Sequence, residues 1–226
     1  GIFDSGVGGL TVVKQMFKRL PNEEIVYLGD TARVPYGTKS PETIKRFAVE
    51  NADFLMKFKV KLIVVACNTV SSTSLDILRE KFSIPIVGVI KPGAEKAVQI
   101  TRNNKVGIIG TYTTVKSKAY EKEIRHFSRD VETASKACPL FVPLVEEGWL
   151  KEEITFSIVK KYLKPLMAKK IDTLILGCTH YPLLKSVISK AAGKEVKIVD
   201  SASSVADEVH NILMSFGALR EGARKP

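Results

Sequence analysis

An apolar run that ends in a cysteine is the feature that most constrains this sequence. Residues 62–66 are continuously apolar and rich in β-branched side chains, and Cys67 follows them directly. Such a run is typical of a strand buried on both faces of a parallel sheet, which predicts an α/β fold. In sheets of this kind, ligands bind at the carboxyl edge. The pattern therefore predicts that Cys67 lies at a binding edge.

The same pattern occurs a second time, at residues 173–178. An apolar run and Gly177 precede Cys178, and Thr179 and His180 follow it. A single cysteine is most often a small buried hydrophobic residue, and that interpretation stays open for each of the two. Both thiols leave their strands beside polar groups, however, and reactive thiolates need polar surroundings. The pair therefore favours a catalytic role, in which His180 stabilises a thiolate.

The chain is predicted to consist of two similar halves. A Pro-Gly break occurs at residues 91–93, and a second series of strands and helices begins beyond it. The strand predicted at residues 105–110 runs into a polar turn, as the strand at the start of the chain does. We expect two parallel-sheet α/β domains related by a pseudo-twofold axis, one formed by residues 1–92 and 206–226 and the other by residues 93–205. The active site would then lie in the cleft between them.

A glycine-rich turn follows the first strand. Glycines at residues 6, 8 and 9 would let backbone N–H groups approach an anion. The spacing matches neither the dinucleotide fingerprint nor the phosphate loop, and Asp4 would repel a phosphate. Asp4 is predicted either to cap the following helix or to position a thiol.

Several other residues leave alternatives open. Tyr36 and Gly37 lie in a loop that is either a plain turn or a wall of the substrate site. Glu146 precedes Gly148 and is either a solvated loop carboxylate or part of the site. Cys138 lies in an apolar stretch before a proline, which predicts a packing role. His126 and His210 lie on helical stretches and are expected at the surface.

Composition excludes several classes of protein. Of the 226 residues, 45% are hydrophobic, which is enough for a sizeable core. No apolar run has the length of a membrane span and no signal-peptide pattern occurs, so we expect a cytoplasmic protein without membrane contact. The three cysteines fit neither a disulfide framework nor a clustered metal site. Neither a metal nor a cofactor is expected.

The charge balance is basic. Lys and Arg number 35 against 24 acidic residues, which gives a formal net charge of +11. The basic residues are spread over amphipathic helices such as residues 151–170, with no basic block between aromatic residues. We therefore expect no nucleic-acid partner. A positive field would help to gather a small acidic substrate.

Two thiols at equivalent strand ends suit a two-base racemisation. One thiolate removes the α-proton from one face of an amino acid, and the opposite thiol protonates the planar carbanion from the other face. A serine hydroxyl is far less acidic and could not take this part. Asp4, Glu146 and His180 would bias or shuttle the protons between the two thiols.

Four segments, residues 1–10, 27–37, 66–69 and 177–184, resemble the bacterial glutamate racemases of the cofactor-independent aspartate/glutamate racemase superfamily. The resemblance implies that Cys67 and Cys178 are the acid/base thiols, facing D-glutamate and L-glutamate respectively, with Glu146 near the second. It implies a small-molecule substrate, glutamate rather than aspartate, and the supply of D-glutamate for peptidoglycan. A homodimer is also expected. The implied substrate contacts are Asp4, Ser5, Tyr36, Gly37, Asn68, Thr69, Thr114, Thr179 and His180.

Two other classes of protein stay open. A thiol-nucleophile hydrolase or transferase would use Cys178 and His180 as the attacking pair, but it leaves Cys67 unexplained. A non-catalytic protein whose two lobes close on an acidic ligand explains the architecture but neither thiol. Exchange of the α-proton of glutamate with solvent separates racemisation from both.

Overall fold

The computed structural model of the chain describes residues 1–222, which form two sheets of four strands each. The strands of the first sheet are β1 (Ile2–Asp4), β2 (Tyr27–Gly29), β3 (Ile63–Val65) and β4 (Ile86–Gly88). Those of the second sheet are β5 (Lys105–Gly110), β6 (Glu132–Ala137), β7 (Thr173–Gly177) and β8 (Lys197–Asp200). Every neighbouring pair is parallel. The predicted α/β fold with two parallel sheets is confirmed.

The two sheets share one strand order. It is β2-β1-β3-β4 in the first sheet and β6-β5-β7-β8 in the second, so β5 corresponds to β1 and β7 to β3. Cys67 follows β3 and Cys178 follows β7, as the predicted duplication requires. Because parallel strands end at the same edge, the residues that follow β1 and β5 lie beside the two thiols.

Helices connect the strands, and two 3-10 helical turns lie at Tyr36–Thr38 and Tyr181–Leu184. Side-chain oxygens of Ser40, Thr111 and Asp200 accept hydrogen bonds from backbone N–H groups in the first turns of three helices. The helices are α1 (Leu10–Arg19), α2 (Pro41–Met56), α3 (Asn68–Ser71), α4 (Leu75–Lys81), α5 (Ile90–Ile100), α6 (Tyr112–Ser117), α7 (Ala119–Phe127), α8 (Phe141–Glu146), α9 (Glu153–Met167), α10 (Lys185–Ala192) and α11 (Ser201–Ser215).

The helical region before β6 begins earlier than the sequence predicts. The sequence predicts a helix over about residues 117–127, which α7 confirms, but it does not predict α6, which precedes α7. The break between them is at Lys118, whose φ of 54° lies in the left-handed region. A residue in this conformation ends a helix, and the next helix begins directly after it.

The core explains why β3 and residues 174–176 of β7 form uninterrupted apolar runs. Val64 lies in the cluster shared with α1 and α11, whereas Ile63 and Val65 lie in the cluster shared with α2. In the second sheet, Leu176 and Ile175 likewise belong to different clusters. Helices thus cover both faces of each sheet, and successive residues of a strand point to opposite faces.

The last helix packs against the first sheet. Ala202, Val205 and Val209 lie in one cluster with Val12 and Val64. Helix α11 runs without a break from Ser201 to Ser215, across the predicted boundary between residues 205 and 206. The domain boundaries stay a prediction, and residues 223–226, which it assigns to the first domain, lie outside the described residues.

Within residues 1–222, no helix is both long and apolar enough to cross a membrane.

Candidate functional site

A cavity of about 260 Å³ lies between the carboxyl edges of the two sheets, and both Cys67 and Cys178 line it. The structure therefore brings together the two thiols that the sequence places 111 positions apart (178 minus 67). Asp4 and Thr114 are set back from the cavity surface and are almost fully buried. The other predicted site residues line the cavity, namely Ser5, Tyr36, Gly37, Asn68, Thr69, Glu146, Thr179 and His180.

Cys67 lies at the junction of β3 and the short helix α3. The backbone N–H groups of Thr69 and Val70 hydrogen-bond to its sulfur, and its thiol donates to Ser5 Oγ at 3.7 Å. Burial, and next the negative charge of Asp4, raise the pKa of Cys67 to about 11, against the lowering effect of these hydrogen bonds. Cys67 is thus a protonated thiol near neutral pH, and backbone donors lie close enough to stabilise its thiolate.

Cys178 has an equivalent setting after β7. The backbone N–H group of His180 hydrogen-bonds to its sulfur, and that of Tyr181, which donates to the Cys178 carbonyl oxygen at 3.1 Å, lies close enough to lower the pKa of the thiol as well. Burial raises the pKa of Cys178 far above its ordinary value, and the neighbouring Cys67 and Asp4 raise it further. Each thiol therefore faces backbone donors from the residues two and three positions beyond it.

His180 distinguishes the two thiol environments. Its Nδ1 lies 4.0 Å from Cys178 Sγ, and its Nε2 lies 2.5 Å from Oε1 of Glu146. The imidazole is buried, whereas the Glu146 side chain is 39% exposed at the end of α8. If Nε2 carries the proton toward the carboxylate, the lone pair of Nδ1 faces the thiol. A chain of three groups thus runs from the buried sulfur toward solvent.

Asp4 forms hydrogen bonds on both sides of the site. Its carboxylate accepts hydrogen bonds from the backbone N–H groups of Gly6 at 3.2 Å and Gly9 at 2.9 Å, and from the Thr179 hydroxyl at 3.2 Å. Burial raises its pKa, and the nearby His180 and these hydrogen bonds oppose that effect. The sequence predicts an anion site in the glycine-rich turn, but the Gly6 and Gly9 amides bind the Asp4 carboxylate instead.

The glycine-rich turn has a steric role as well. A Cβ added at Gly8 would lie 2.6 Å from both His180 Nδ1 and Thr179 Oγ1. Only glycine lets the backbone after β1 approach the residues after Cys178 this closely.

Tyr36 contributes its ring and backbone to the wall. Its hydroxyl donates to Asp30, which also accepts from Arg33 Nε at 2.6 Å, and Asn51 donates to the Tyr36 hydroxyl at 3.2 Å. The Tyr36 hydroxyl is thus bonded to Asp30 and Asn51 and points away from the cavity. A contact between this hydroxyl and the substrate is therefore not expected. The carbonyl of Gly37 accepts a hydrogen bond at 3.0 Å from Thr113, on the opposite side of the cleft.

Three threonine hydroxyls meet at one end of the cavity. Thr111 Oγ1 lies 3.0 Å from Thr69 Oγ1 and 3.0 Å from Thr114 Oγ1. Thr111 lines the cavity but is missing from the residues predicted for the site. It follows β5 as Ser5 follows β1, so the duplicated strand pattern contains the signal that identifies it.

The remaining candidates are placed as follows. Cys138 is fully buried in the apolar core, which confirms its predicted packing role, and burial raises its pKa to about 12. His126 is exposed and His210 is half-buried, away from the cavity. In the part of the chain that the structure describes, there is no group of three or more His, Cys, Asp or Glu side chains that could hold a metal ion.

Known racemases are similar to this chain in sequence and in structure. A family model described as Asp/Glu/Hydantoin racemase matches residues 7–209. A glutamate racemase from Geobacter metallireducens is 54% identical over 220 residues, which cover 97% of this chain and 82% of that protein. A glutamate racemase isoform from Bacillus anthracis has a TM-score of 0.96 at 44% identity, covering 99% of this chain and 84% of that one. The glutamate racemase of Francisella tularensis, solved in complex with D-glutamate, has a TM-score of 0.92 at 41% identity, covering 98% and 83%.

Proposed function

Because this chain belongs to the Asp/Glu/hydantoin racemase family, we propose that it interconverts L- and D-glutamate without a cofactor, using Cys67 and Cys178 as the two acid/base groups. The observation that carries this proposal is the position of the two thiols. They follow corresponding strands of two sheets and line one cavity. A substrate α-carbon between them would have one sulfur on each face.

The proton transfers balance as follows. The Cys178 thiolate takes the α-proton of L-glutamate, and the electron pair of the C–H bond stays on the planar carbanion. The Cys67 thiol then donates its proton to the opposite face, which gives D-glutamate and leaves a thiolate at Cys67. The reverse reaction uses the same groups in the opposite order.

The raised thiol pKa values suit this chemistry. A thiolate whose conjugate acid has a pKa of about 11, as for Cys67, is a stronger base toward a carbon acid than an ordinary cysteine thiolate. The two backbone N–H groups near each sulfur lower the cost of forming the thiolate but do not cancel the effect of burial. His180 takes the proton from Cys178 and relays it to Glu146, so that the thiols hold unequal protonation states.

Neutral donors support an acidic substrate. Ser5 and Asn68 line the cavity on the first-sheet side and Thr179 on the second-sheet side, with Thr69 and Thr111 at one end. Hydroxyl and amide groups can bind two carboxylates while leaving the thiols as the groups that change charge. Aspartate, shorter by one methylene, would leave some of these buried donors unpaired, so we propose glutamate as the preferred substrate.

Proton exchange in D₂O tests the proposal. Incubation of L-glutamate with the enzyme should replace the α-proton with deuterium, by nuclear magnetic resonance, as the circular dichroism signal decays to zero. Cys138→Ala is the matched control, because Cys138 is buried in the core away from the cavity. A protein that binds glutamate without α-exchange would refute the proposal and favour a binding protein or a thiol nucleophile.

The wider role follows from the same proposal. We propose that the enzyme acts in the cytoplasm as a homodimer and supplies D-glutamate for peptidoglycan, with domains formed by residues 1–92 with 206–226 and by residues 93–205. Activity should survive treatment with EDTA. A loss of activity that added metal restores would contradict the cofactor-independent scheme.

A further inference from the structure

Tyr120 is a buried residue of α7 that packs between two glycines. Its side chain is 1% exposed. A Cβ added at Gly93 would lie 3.3 Å from Tyr120 Cε1, and one added at Gly177 would lie 3.1 Å from Tyr120 Cε2. Gly177 directly precedes Cys178, so the ring lies against the backbone that carries the second thiol.

The hydroxyl of the same side chain reaches the other thiol environment. Tyr120 Oη donates to Asn68 Oδ1 at 2.7 Å, and Asn68 directly follows Cys67. One side chain from the second-sheet side thus contacts the residue before Cys178 with its ring and the residue after Cys67 with its hydroxyl.

This hydrogen bond fixes the orientation of the Asn68 amide. An amide has one acceptor oxygen and a nitrogen that donates twice. Because the oxygen is engaged by Tyr120, the nitrogen is the end that faces the cavity, which Asn68 lines. Burial raises the pKa of Tyr120 well above its ordinary value, so the phenol keeps its proton and acts as the donor.

The corresponding residue on the other side is held in the same manner. Thr179 directly follows Cys178, and its hydroxyl donates to Asp4 from the first-sheet side at 3.2 Å. Each residue next to a thiol is therefore bound by a side chain from the opposite sheet. This reciprocity indicates that both contacts position groups of the site.

We propose that Tyr120 is a positioning residue, which orients the Asn68 amide so that its N–H groups bind a carboxylate of the substrate. The proposal rests on the function proposed above and deepens it. Tyr120 does not contact the substrate, so its effect acts through Asn68 and falls on substrate affinity.

A double-mutant cycle tests this coupling, with the Kd of glutamate measured by calorimetry. Tyr120→Phe keeps the ring between the two glycines and removes the hydroxyl. It should raise Kd about fivefold, because the amide then samples both orientations, and Asn68→Ala should raise it about tenfold or more. In the Asn68→Ala background, Tyr120→Phe should have no further effect on Kd.

Two more variants separate positioning from a general loss of structure. Tyr162→Phe removes a phenol hydroxyl on α9, away from Asn68, and should leave Kd unchanged. Asn68→Asp keeps Tyr120 intact but removes the amide donors, and it should weaken binding at least as much as Asn68→Ala. The kcat of Tyr120→Phe should stay within about twofold of the wild-type value, because both thiols keep their backbone donors.

The outcomes are distinct. An unchanged Kd in Tyr120→Phe, or an equal effect in the presence and absence of the Asn68 amide, would overturn the positioning role. Unaffected binding by Asn68→Asp would do the same even if Tyr120→Phe failed to fold. A wild-type protein that binds glutamate but does not racemise it would refute the proposed function alone, since the Kd comparison would still decide the role of Tyr120.

Discussion

The two thiol environments share one backbone and differ in their side chains. Both cysteines end corresponding strands and face two backbone N–H groups. Beside Cys67 lie the neutral hydroxyl of Ser5 and, further back, the buried Asp4, whereas Cys178 has the imidazole of His180 linked to Glu146. The shared strand order thus accounts for the symmetric geometry, and the different neighbours are what the proposed mechanism requires for unequal protonation states of the two thiols.

Replacing either thiol with serine should have the largest effect. Cys67→Ser and Cys178→Ser should each lower the racemisation rate by about a thousandfold or more, because in the proposed mechanism each removes the base that acts on one face of the substrate. Circular dichroism follows the loss of activity.

Each single mutant retains one thiol, which gives a second measurement. It should still catalyse elimination from a glutamate analogue with a β-leaving group, for one enantiomer only: D for Cys67 in Cys178→Ser, and L for Cys178 in Cys67→Ser. Equal loss for both enantiomers in both mutants would show that the cysteines do not divide the two faces.

The raised thiol pKa values predict a loss of stability at alkaline pH. The pKa of Cys67 is about 11 in the folded protein, against about 8.5 in an unfolded chain. Below about pH 8.5 the thiol keeps its proton in both the folded and the unfolded chain, so Cys67 does not reduce the free energy of unfolding there. Between about pH 8.5 and 11 the unfolded chain loses its proton first, and the free energy of unfolding should fall by roughly 3 kcal/mol for this thiol.

Urea unfolding at a series of pH values measures this loss. Cys67→Ala removes the Cys67 contribution to the slope, while its packing defect gives an offset that does not change with pH. Cys178 has a pKa raised further, so its contribution should continue at pH values where that of Cys67 has ended. Identical pH profiles for the wild type and Cys67→Ala would contradict the buried, protonated thiol.

Glu146→Gln should slow proton transfer at Cys178, and with it the overall reaction, about tenfold. The reason is that the amide cannot accept a proton from His180. The enantiomers have equal free energies, so kcat/KM must fall equally in both directions, and rates alone cannot locate the defect.

Primary isotope effects on α-deuterated substrates can locate it. Slower proton transfer at Cys178 should raise the isotope effect for L-glutamate, where that thiol removes the α-proton. The matched control is Glu147→Gln, at the exposed residue that directly follows α8. It should leave rates and isotope effects unchanged. A larger isotope effect confined to D-glutamate would assign Glu146 to the other thiol.

Sequence patterns identify those residues of the site that lie close together along the chain. The apolar runs before Cys67 and Cys178 locate both strand ends, and His180 follows because it lies two residues beyond. The contact between Tyr120 and Asn68 joins residues 52 positions apart, and only the packing of the two sheets brings them together.

The glycine-rich turn shows the opposite case, in which a local pattern misleads. Its glycines favour an anion site, yet two of its amides bind the carboxylate of Asp4, which lies in the same segment. A side chain that competes for backbone donors is not visible in the spacing of glycines. Thr111 is absent from the predicted site, although it follows β5 as Ser5 follows β1 and the repeated strand pattern contains that correspondence.

The smallest expected effect concerns Thr114. The resemblance to glutamate racemases implies that this residue contacts the substrate, but in the structure it lies behind the residues that line the cavity. Its hydroxyl lies 3.0 Å from that of Thr111 and 3.5 Å from that of Thr69. Thr114→Val should therefore raise the KM for glutamate by no more than about threefold, because it removes only neutral hydrogen bonds behind the lining residues. Thr69→Val, which alters a lining residue on the Cys67 side, should raise KM about tenfold. Steady-state kinetics of both variants with both enantiomers measures the difference, and a larger effect at Thr114 would mean that the threonine cluster rearranges to place this hydroxyl on the substrate.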